Sequence, residues 1–471
     1  MTDEEAQMLF DDGMLYYKHS LFNGAIEIWE KIYKENNIYY EARYYIGLAY
    51  AYLDPCNYQI SINIWRKIPK EATIYSEAQW NIGVAYIQLD DVGKAVESFA
   101  NTENDIFDML QVLHNPPKRE IAKKVIFKIL DKKTHNSFNN IVIGKTDEER
   151  NSYKEIFIQS LEIISLLYVH VHKKIDGNII ILEPNVAHYT RKWVAEQILF
   201  TKSKLRLSNA IGSNDPKEGK TLLDFLEIDS QTQLRTPYQA FISCFTFNTE
   251  SLNQFRLYGK EDKKEATGVS ILLKHTLFND RAKIVFSHEE NKLSLYRCIY
   301  IDPKTKKIIS IGHKEEYSFY RDWIIGNNKD YKEKIINNYK ESINKTLGEI
   351  RCNMDELNKL ITNNPKLDSA IVAELLLPLR YLTKHVAFKE EQECRIFDIE
   401  NLETSKKIFQ RNPTSFSEMY LEYNEDLTQH IEKVIFAPMT PDLEQFHAFS
   451  KYKGYNFPCE RCDHPFSMKT T

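Results

Sequence analysis

Small and aromatic positions recur at a fixed period over the first hundred residues. Gly13, Tyr16, Ala25 and Trp29 return as Gly47, Tyr50, Ser61 and Trp65, and again as Gly83, Tyr86, Ala95 and Phe99. The glycines lie 47 − 13 = 34 and 83 − 47 = 36 residues apart, and the middle copy carries two extra residues around Pro55-Cys56. Glycine and alanine let two helices approach, and the aromatic side chains fill the space left between them. From about 104 to 178 the apolar spacing stays near 3.6 in KREIAKKVIFKILDKK and EERNSYKEIFIQSLEIISLLYVHVHKK, but the repeat is lost. Pro116-Pro117 separates one helix from the next. This stretch is expected to cap the repeats and bridge to the next domain.

The period changes from about 179. NIIILE, KLRLS, QAFISCFTF, GVSILLK, KIVFSHE, SLYRCIYID and KKIISIGH read as short strands bounded by turn residues. A charged helical segment, about 328–364, interrupts them, and Leu375–Val386 predicts another helix before ECRIFDIE and KVIFAP resume the strands. Helices inserted irregularly among strands predict an α+β unit, not a doubly wound sheet. The expected domains are 1–103, 104–178 and 179–471.

The segment Ile181–Gly219 concentrates candidate chemistry. It predicts a strand ending at His188-Tyr189-Thr190 and a helix N-capped by Thr190 with Trp193, Val194, Ile198 and Leu199 on its apolar face. A second strand is expected around Leu205-Arg206-Leu207, then a polar loop holding Asn214, Asp215, Pro216 and Glu218. A histidine at a strand end beside a polar loop builds a site on a rigid scaffold; it is equally a histidine satisfied in a turn. The loop either binds a ligand or is held by its own Asx bonds. Further on, Glu391-Gln392-Glu393 is expected to put both carboxylates on one face of a strand. That spacing suits paired carboxylate chemistry, and it also occurs on solvated strand edges. Arg206 and Arg395 are read as partners of acidic side chains or of phosphates, with ordinary salt bridges favoured.

Composition narrows the classes. A 471-residue chain with 42% hydrophobic and 27% charged residues suits two or three folded domains. A net charge of −5 without a basic block argues against generic nucleic-acid binding. No apolar run approaches the roughly 18 residues of a membrane span, and the acidic MTDEEAQMLF start does not read as a signal peptide. Seven scattered cysteines suggest a reducing, cytoplasmic setting. Cys459-x-x-Cys462-x-His464 lacks a second matching pair for zinc, so no metal site is expected. The phosphate-loop, dinucleotide, metalloprotease and serine-hydrolase motifs are absent.

The repeat resembles the tetratricopeptide pattern, which implies a protein partner bound by residues 1–103. The later part resembles a bacterial family of domains of unknown function that looks related to the ADP-ribosyltransferase fold. The resemblance is carried in order by His188-Tyr189-Thr190, Asn214-Asp215-Pro216-x-Glu218, Ser243-Cys244-Phe245-Thr246, Phe255-x-x-Tyr258-Gly259, Gly268-Val269, Glu391-x-Glu393-x-Arg395 and Lys433-Val434-Ile435-x-x-Pro438. Phe255 and Cys394 stand where that family commonly has tryptophan. The resemblance implies NAD as substrate, held by His188, Tyr189, Thr190, Asn214, Asp215, Ser243 and Thr246, with Glu393 ahead of Glu391 as the catalytic carboxylate. The product is an ADP-ribosylated macromolecule, or free ADP-ribose if water is the acceptor. The setting it suggests is a bacterial toxin, effector or antiphage defence protein, cytoplasmic or acting in a host cytosol. Two other expectations stand beside it: a non-catalytic interaction module with a degenerate enzyme fold, and a nuclease or base-modifying enzyme.

Overall fold

The structure, a computed structural model, describes all residues except 54, 103–108, 133–136, 170–172, 176–177, 181–182, 213–214, 230–236, 261–263, 280–284, 287–291, 323–328, 413–417 and 464–471. The chain divides into two compact units, Met1–Ile143 and Gly144–Thr471.

The first unit is helical. α1 (Asp3–Lys18), α2 (Phe22–Trp29), α3 (Tyr39–Tyr52), α4 (Tyr58–Trp65), α5 (Tyr75–Gln88) and α6 (Val92–Ala100) pack as three successive pairs. A Cβ added at Gly13 or Gly47 would lie 2.2 Å from the indole Nε1 of Trp29 or Trp65, and one at Gly83 would lie 2.6 Å from Phe99. The glycine is therefore the socket for the aromatic of its own pair. Trp29 donates its Nε1–H to Phe10 O at 3.1 Å and Trp65 donates to Tyr44 O at 3.0 Å, each carbonyl three residues before the glycine. Phe99 has no such donor. Residues 53–57 join α3 to α4, whereas 19–21 and 89–91 join the other pairs. The middle copy's extra residues thus fall in a turn, where insertion leaves the packing intact.

The expected bridge over 104–178 is split between the units. Arg119–Lys132 packs on α6 after a single 3₁₀ turn at Pro116–Lys118, but Asp147–Leu167 belongs to the second unit. That helix starts with a capping box of Thr146 and Glu149, and every side chain from Ile156 to Leu167 is buried. Such a helix is a core element, not a cap with a polar outer face. It packs against the helices Lys329–Thr362 and Ser369–Leu375, and Asp368 N donates to the Tyr153 hydroxyl at 2.9 Å.

The second unit is α+β, built on an eleven-stranded mixed sheet. Its strands are β1 (Val186–Thr190), β2 (Arg206–Asn209), β3 (Tyr238–Thr246), β4 (Val269–Leu273), β5 (Val285–Phe286), β6 (Tyr296–Arg297), β7 (Glu393–Asn401), β8 (Phe409–Gln410), β9 (Met419–Glu422), β10 (Ile431–Phe436) and β11 (Cys459–Arg461). The order is β8-β9-β2-β3-β1-β4-β10-β11, with β7 paired along all of β3 and joined by β5 and β6. A smaller sheet holds Ile299–Asp302, Lys307–Ile311 and Thr383–His385. Leu207, Phe241, Phe245, Ile271, Ile396 and Phe436 supply the main core from alternate positions of the large sheet.

Three local expectations are corrected. Thr190 is not a helix cap: it stays in β1, paired with Val269, and helix Lys192–Thr201 starts at Arg191 without a side-chain cap. Trp193 is exposed while Ile198 and Leu199 are buried, so the helix's apolar stripe is narrower than expected. Leu375–Val386 is not one helix. Its helical part ends at Arg380, and Thr383–His385 pairs in parallel with Ile299–Ile301.

Candidate active site

The large sheet opens beside β3. β2 reaches β3 only at Ile242 and Phe241, and β1 reaches it only at Thr246. Ser243–Phe245 therefore pair with β7 alone, and a cavity of about 760 Å³ lies in the split. It is lined by His188, Tyr189, Asp215, Ser243, Cys244, Thr246, Glu391 and Glu393 among others. These residues are separated by up to about 200 positions, yet strand ends at a split sheet bring them together. Thr190 does not line the cavity. Asn214 lies outside the described residues.

His188 answers the break in pairing. Its ring reaches the Cys244 carbonyl at 3.1 Å and packs on Phe245. A carbonyl only accepts, so Nδ1 carries the proton and Nε2 is left as an acceptor. Burial, only partly opposed by the carbonyl, lowers the imidazole's pKa and favours the neutral ring.

The carboxylates sit in a five-membered ion cluster. Glu391 and Glu393 were expected on one strand face, but β7 begins at Glu393. Gln392 takes a left-handed conformation (φ 45°, ψ 48°) and Glu391 ends a 3₁₀ turn. The Gln392 side chain is buried, accepting from His313 N at 2.9 Å, so the chain turns instead of alternating. Both carboxylates still converge on Lys384, which pairs with Glu391 and lies 2.6 Å from Glu393 Oε2. Arg395 Nε donates to Glu393 Oε1 at 2.6 Å, and the same guanidinium holds Glu218 at 2.6 and 3.0 Å. Arg395 is thus an ion-pair partner, as its sequence reading has it.

The environments push the two carboxylates apart. Burial alone would raise Glu393, but Arg395 and Lys384 outweigh it and hold it well below the usual range. Glu391 is raised, by burial first and by Glu393, with Lys384 opposing. Burial would also lower Lys384, yet Glu393 and Glu391 hold its ammonium well above its ordinary value. Glu393 is a fixed anion with both oxygens committed, and Glu391 is the carboxylate able to exchange a proton. The Tyr258 hydroxyl faces Glu391 Oε1 at 3.4 Å. Cys244 is exposed in the cavity, yet the protein atoms crowded around its thiol, and Glu393 beside it, hold it well above its ordinary range.

Several expected ligand-binding groups are occupied by the scaffold. The Tyr189 hydroxyl donates to Asn248 O at 2.8 Å and accepts from Ser251 N at 2.7 Å. Thr246 Oγ1 donates to Glu391 O at 2.6 Å, bracing the turn. Asp215 Oδ1 accepts from Lys217 N at 2.8 Å, forming the turn that presents Glu218. Ser243 Oγ is buried without a hydrogen-bond partner among the described residues. The sequence reading missed Lys384, hidden in a presumed helix, and two residues of the far rim, Arg411 and Tyr420. There Arg206 lies 4.3 Å above the Tyr420 ring, and Arg411 joins it. Among the described residues neither arginine makes an ion pair, so the ordinary salt bridge expected of Arg206 is replaced by the Tyr420 ring.

Residues 254–396 match the family described as Protein of unknown function (DUF2971). The matched segment contains Tyr258, Lys384, Glu391, Glu393 and Arg395, whereas His188, Glu218 and Cys244 precede it. No curated protein and no solved structure matches the chain. No helix among the described residues is long and apolar enough to cross a membrane. Cys462 gathers with Glu250 and Asp463, ligand atoms within 4.8 Å of one another, and Cys459 is not in that group; His464 lies outside the described residues.

Proposed function

We propose that the second unit acts on NAD in this cleft, transferring ADP-ribose to a macromolecule or to water. The observation that carries the reading is the convergence of a tautomer-fixed His188 and the Glu391–Lys384–Glu393 cluster on one cavity. Its Arg206 and Arg411 rim suits a diphosphate, and Tyr420 offers an aromatic face. In this reading His188 Nε2 accepts from a ribose hydroxyl. The C1′–nitrogen bond breaks, its electron pair stays on the departing nicotinamide, and an acceptor oxygen bonds to C1′. Glu391 stabilises the positive charge developing at the ribose and takes the acceptor's proton. Glu393 holds Lys384 and Arg395 in place, a role revised from the catalytic one the resemblance implied.

The first unit, read as tetratricopeptide-like, binds a protein that brings the acceptor or the trigger. A bacterial toxin, effector or defence role belongs with this proposal. A non-catalytic module is the second reading, and the full ion pairing of Glu393 favours it. Nicotinamide release from NAD by the full chain separates the two. We expect turnover that Glu391→Gln lowers at least 100-fold, since general acid–base groups contribute about 10²–10⁴, with NAD binding kept. Absence of release, or equal release by the variant, rejects the assignment.

A further inference from the structure

The strand that supplies Glu393 carries a second carboxylate pair on its other face. Side chains alternate along β7, so Asp398 and Glu400 share the side of Cys394 and Ile396, which belong to the main core. Asp398 is 6% exposed and Glu400 1% exposed. Asp398 borders a separate cavity of about 370 Å³, walled by Leu207, Leu293, Leu421 and Tyr423 and by the half-exposed Phe409. Asp398 Oδ1 has no hydrogen-bond partner among the described residues.

Charge pairing around this cavity leaves its two buried acids, Asp398 and Glu400, with one ammonium between them. Lys407 Nζ lies 3.2 Å from Glu400 Oε1. Lys204 Nζ lies 3.5 Å from Glu422 Oε2 and donates to Asn424 Oδ1 at 2.9 Å. Lys407 also attracts Asp398, so this one ammonium is shared by two buried carboxyls, while Lys204 is matched to Glu422. Among the described residues the wall joins Leu207, Leu293, Leu421, Phe409 and Tyr423 to the polar side chains of Lys204, Lys407, Glu422 and Asn424. Burial first, then Glu400, pushes Asp398 up to about 8, so a proton occupies the acid at neutral pH. A ligand N–H donor supplies both the missing bond and the missing charge. A bare divalent ion is a poor fit, since about six oxygen ligands are needed and two of the wall residues are lysines.

We propose that this cavity binds a small organic cation with a flat apolar body, an aryl amidinium or aryl ammonium, whose N–H group sits on Asp398. The body packs between the leucines and Phe409. The site is independent of the NAD reading.

Benzamidine titrated into the full chain by calorimetry, at about pH 8.5 where more of Asp398 is ionised, tests the proposal. We expect one site with a millimolar or tighter Kd. Benzamide, with the same ring but no charge, should bind at least about tenfold more weakly, because hydrogen bonds to a charged group carry that much discrimination. Asp398→Asn keeps the volume and removes a buried charge, so it folds, and it should weaken benzamidine at least about tenfold. Phe409→Ala, at the surface, should weaken it severalfold. Glu391→Gln, which removes charge from the other cleft, should leave it unchanged. Undetectable binding, equal binding of benzamide, indifference to Asp398→Asn, or a loss that accompanies Glu391→Gln overturns the proposal.

Discussion

Lys384→Met is the sharpest perturbation of the cleft, because it removes one charge and keeps most of the chain length. The lysine side chain is 6% exposed and lies between Glu391 and Glu393, 12% and 6% exposed. With an effective dielectric constant of about 20, the 2.6 Å contact with Glu393 alone is worth about 6 kcal/mol before desolvation is charged against it. Releasing a buried ammonium to water returns several kcal/mol, so the net loss is about 3–5 kcal/mol. The variant has an escape, since Glu391 can take a proton. Its folded pKa, already raised, rises further without Lys384, so the folded state binds more protons than the unfolded chain. The deficit therefore grows as pH increases above the unfolded glutamate pKa of about 4.3. Adding Glu391→Gln should return at least half of the loss. Hydrogen exchange of peptides across 383–401 in the full chain reads this segment without disturbing the first unit. A loss of about 3 kcal/mol corresponds to roughly 150-fold faster exchange. A change below about fivefold, or a deficit that neither varies with pH nor yields to Glu391→Gln, would refute the idea of a dry, mutually dependent cluster.

Gly47→Ala should cost about 1–3 kcal/mol by driving a methyl group into Trp65, while Trp65→Ala should cost about 3–5 kcal/mol by emptying the same socket; thermal melts of the full chain rank the two. Residues 1–143 should fold alone, with helical circular dichroism and a cooperative melt. Extending that fragment to 175 should add no stability, because Asp147–Leu167 finds its packing partners in the second unit. Asp398, pushed up to about 8 by burial and Glu400, favours the folded state while protonated; that contribution fades as pH rises from about 4 towards 8. Asp398→Asn should therefore gain stability over the wild type between neutral and alkaline pH, and an unchanged pH profile in denaturant melts would contradict it.

The sequence carries the repeat because each glycine–aromatic socket is local: partner residues lie within one helix pair, at a fixed offset. Strand alternation likewise placed most of the large sheet. What it did not carry depends on pairing across distance. Glu218 meets Arg395 across 177 positions, and nothing periodic marks that partnership. Lys384 was concealed by the apolar run before it, which continues a helical pattern past Arg380 although Thr383–His385 is claimed by a parallel strand. Glu391 and Glu393 have strand spacing, but the buried amide of Gln392 is better satisfied by a turn. The rim of Arg206, Arg411 and Tyr420 arises because β8 and β9 fold onto β2, a pairing set by tertiary register and not by composition.

The contact between His188 and β3 has an evolutionary consequence. The histidine's partner is the main-chain oxygen of residue 244, not its thiol. Every amino acid presents that oxygen, so drift at 244 leaves the imidazole's anchor chemically unchanged while altering what faces the cavity. The two positions can therefore diverge without compensating each other, and covariation across descendants of this chain would carry no signal of a coupling that fixes which ring nitrogen is offered to a ligand.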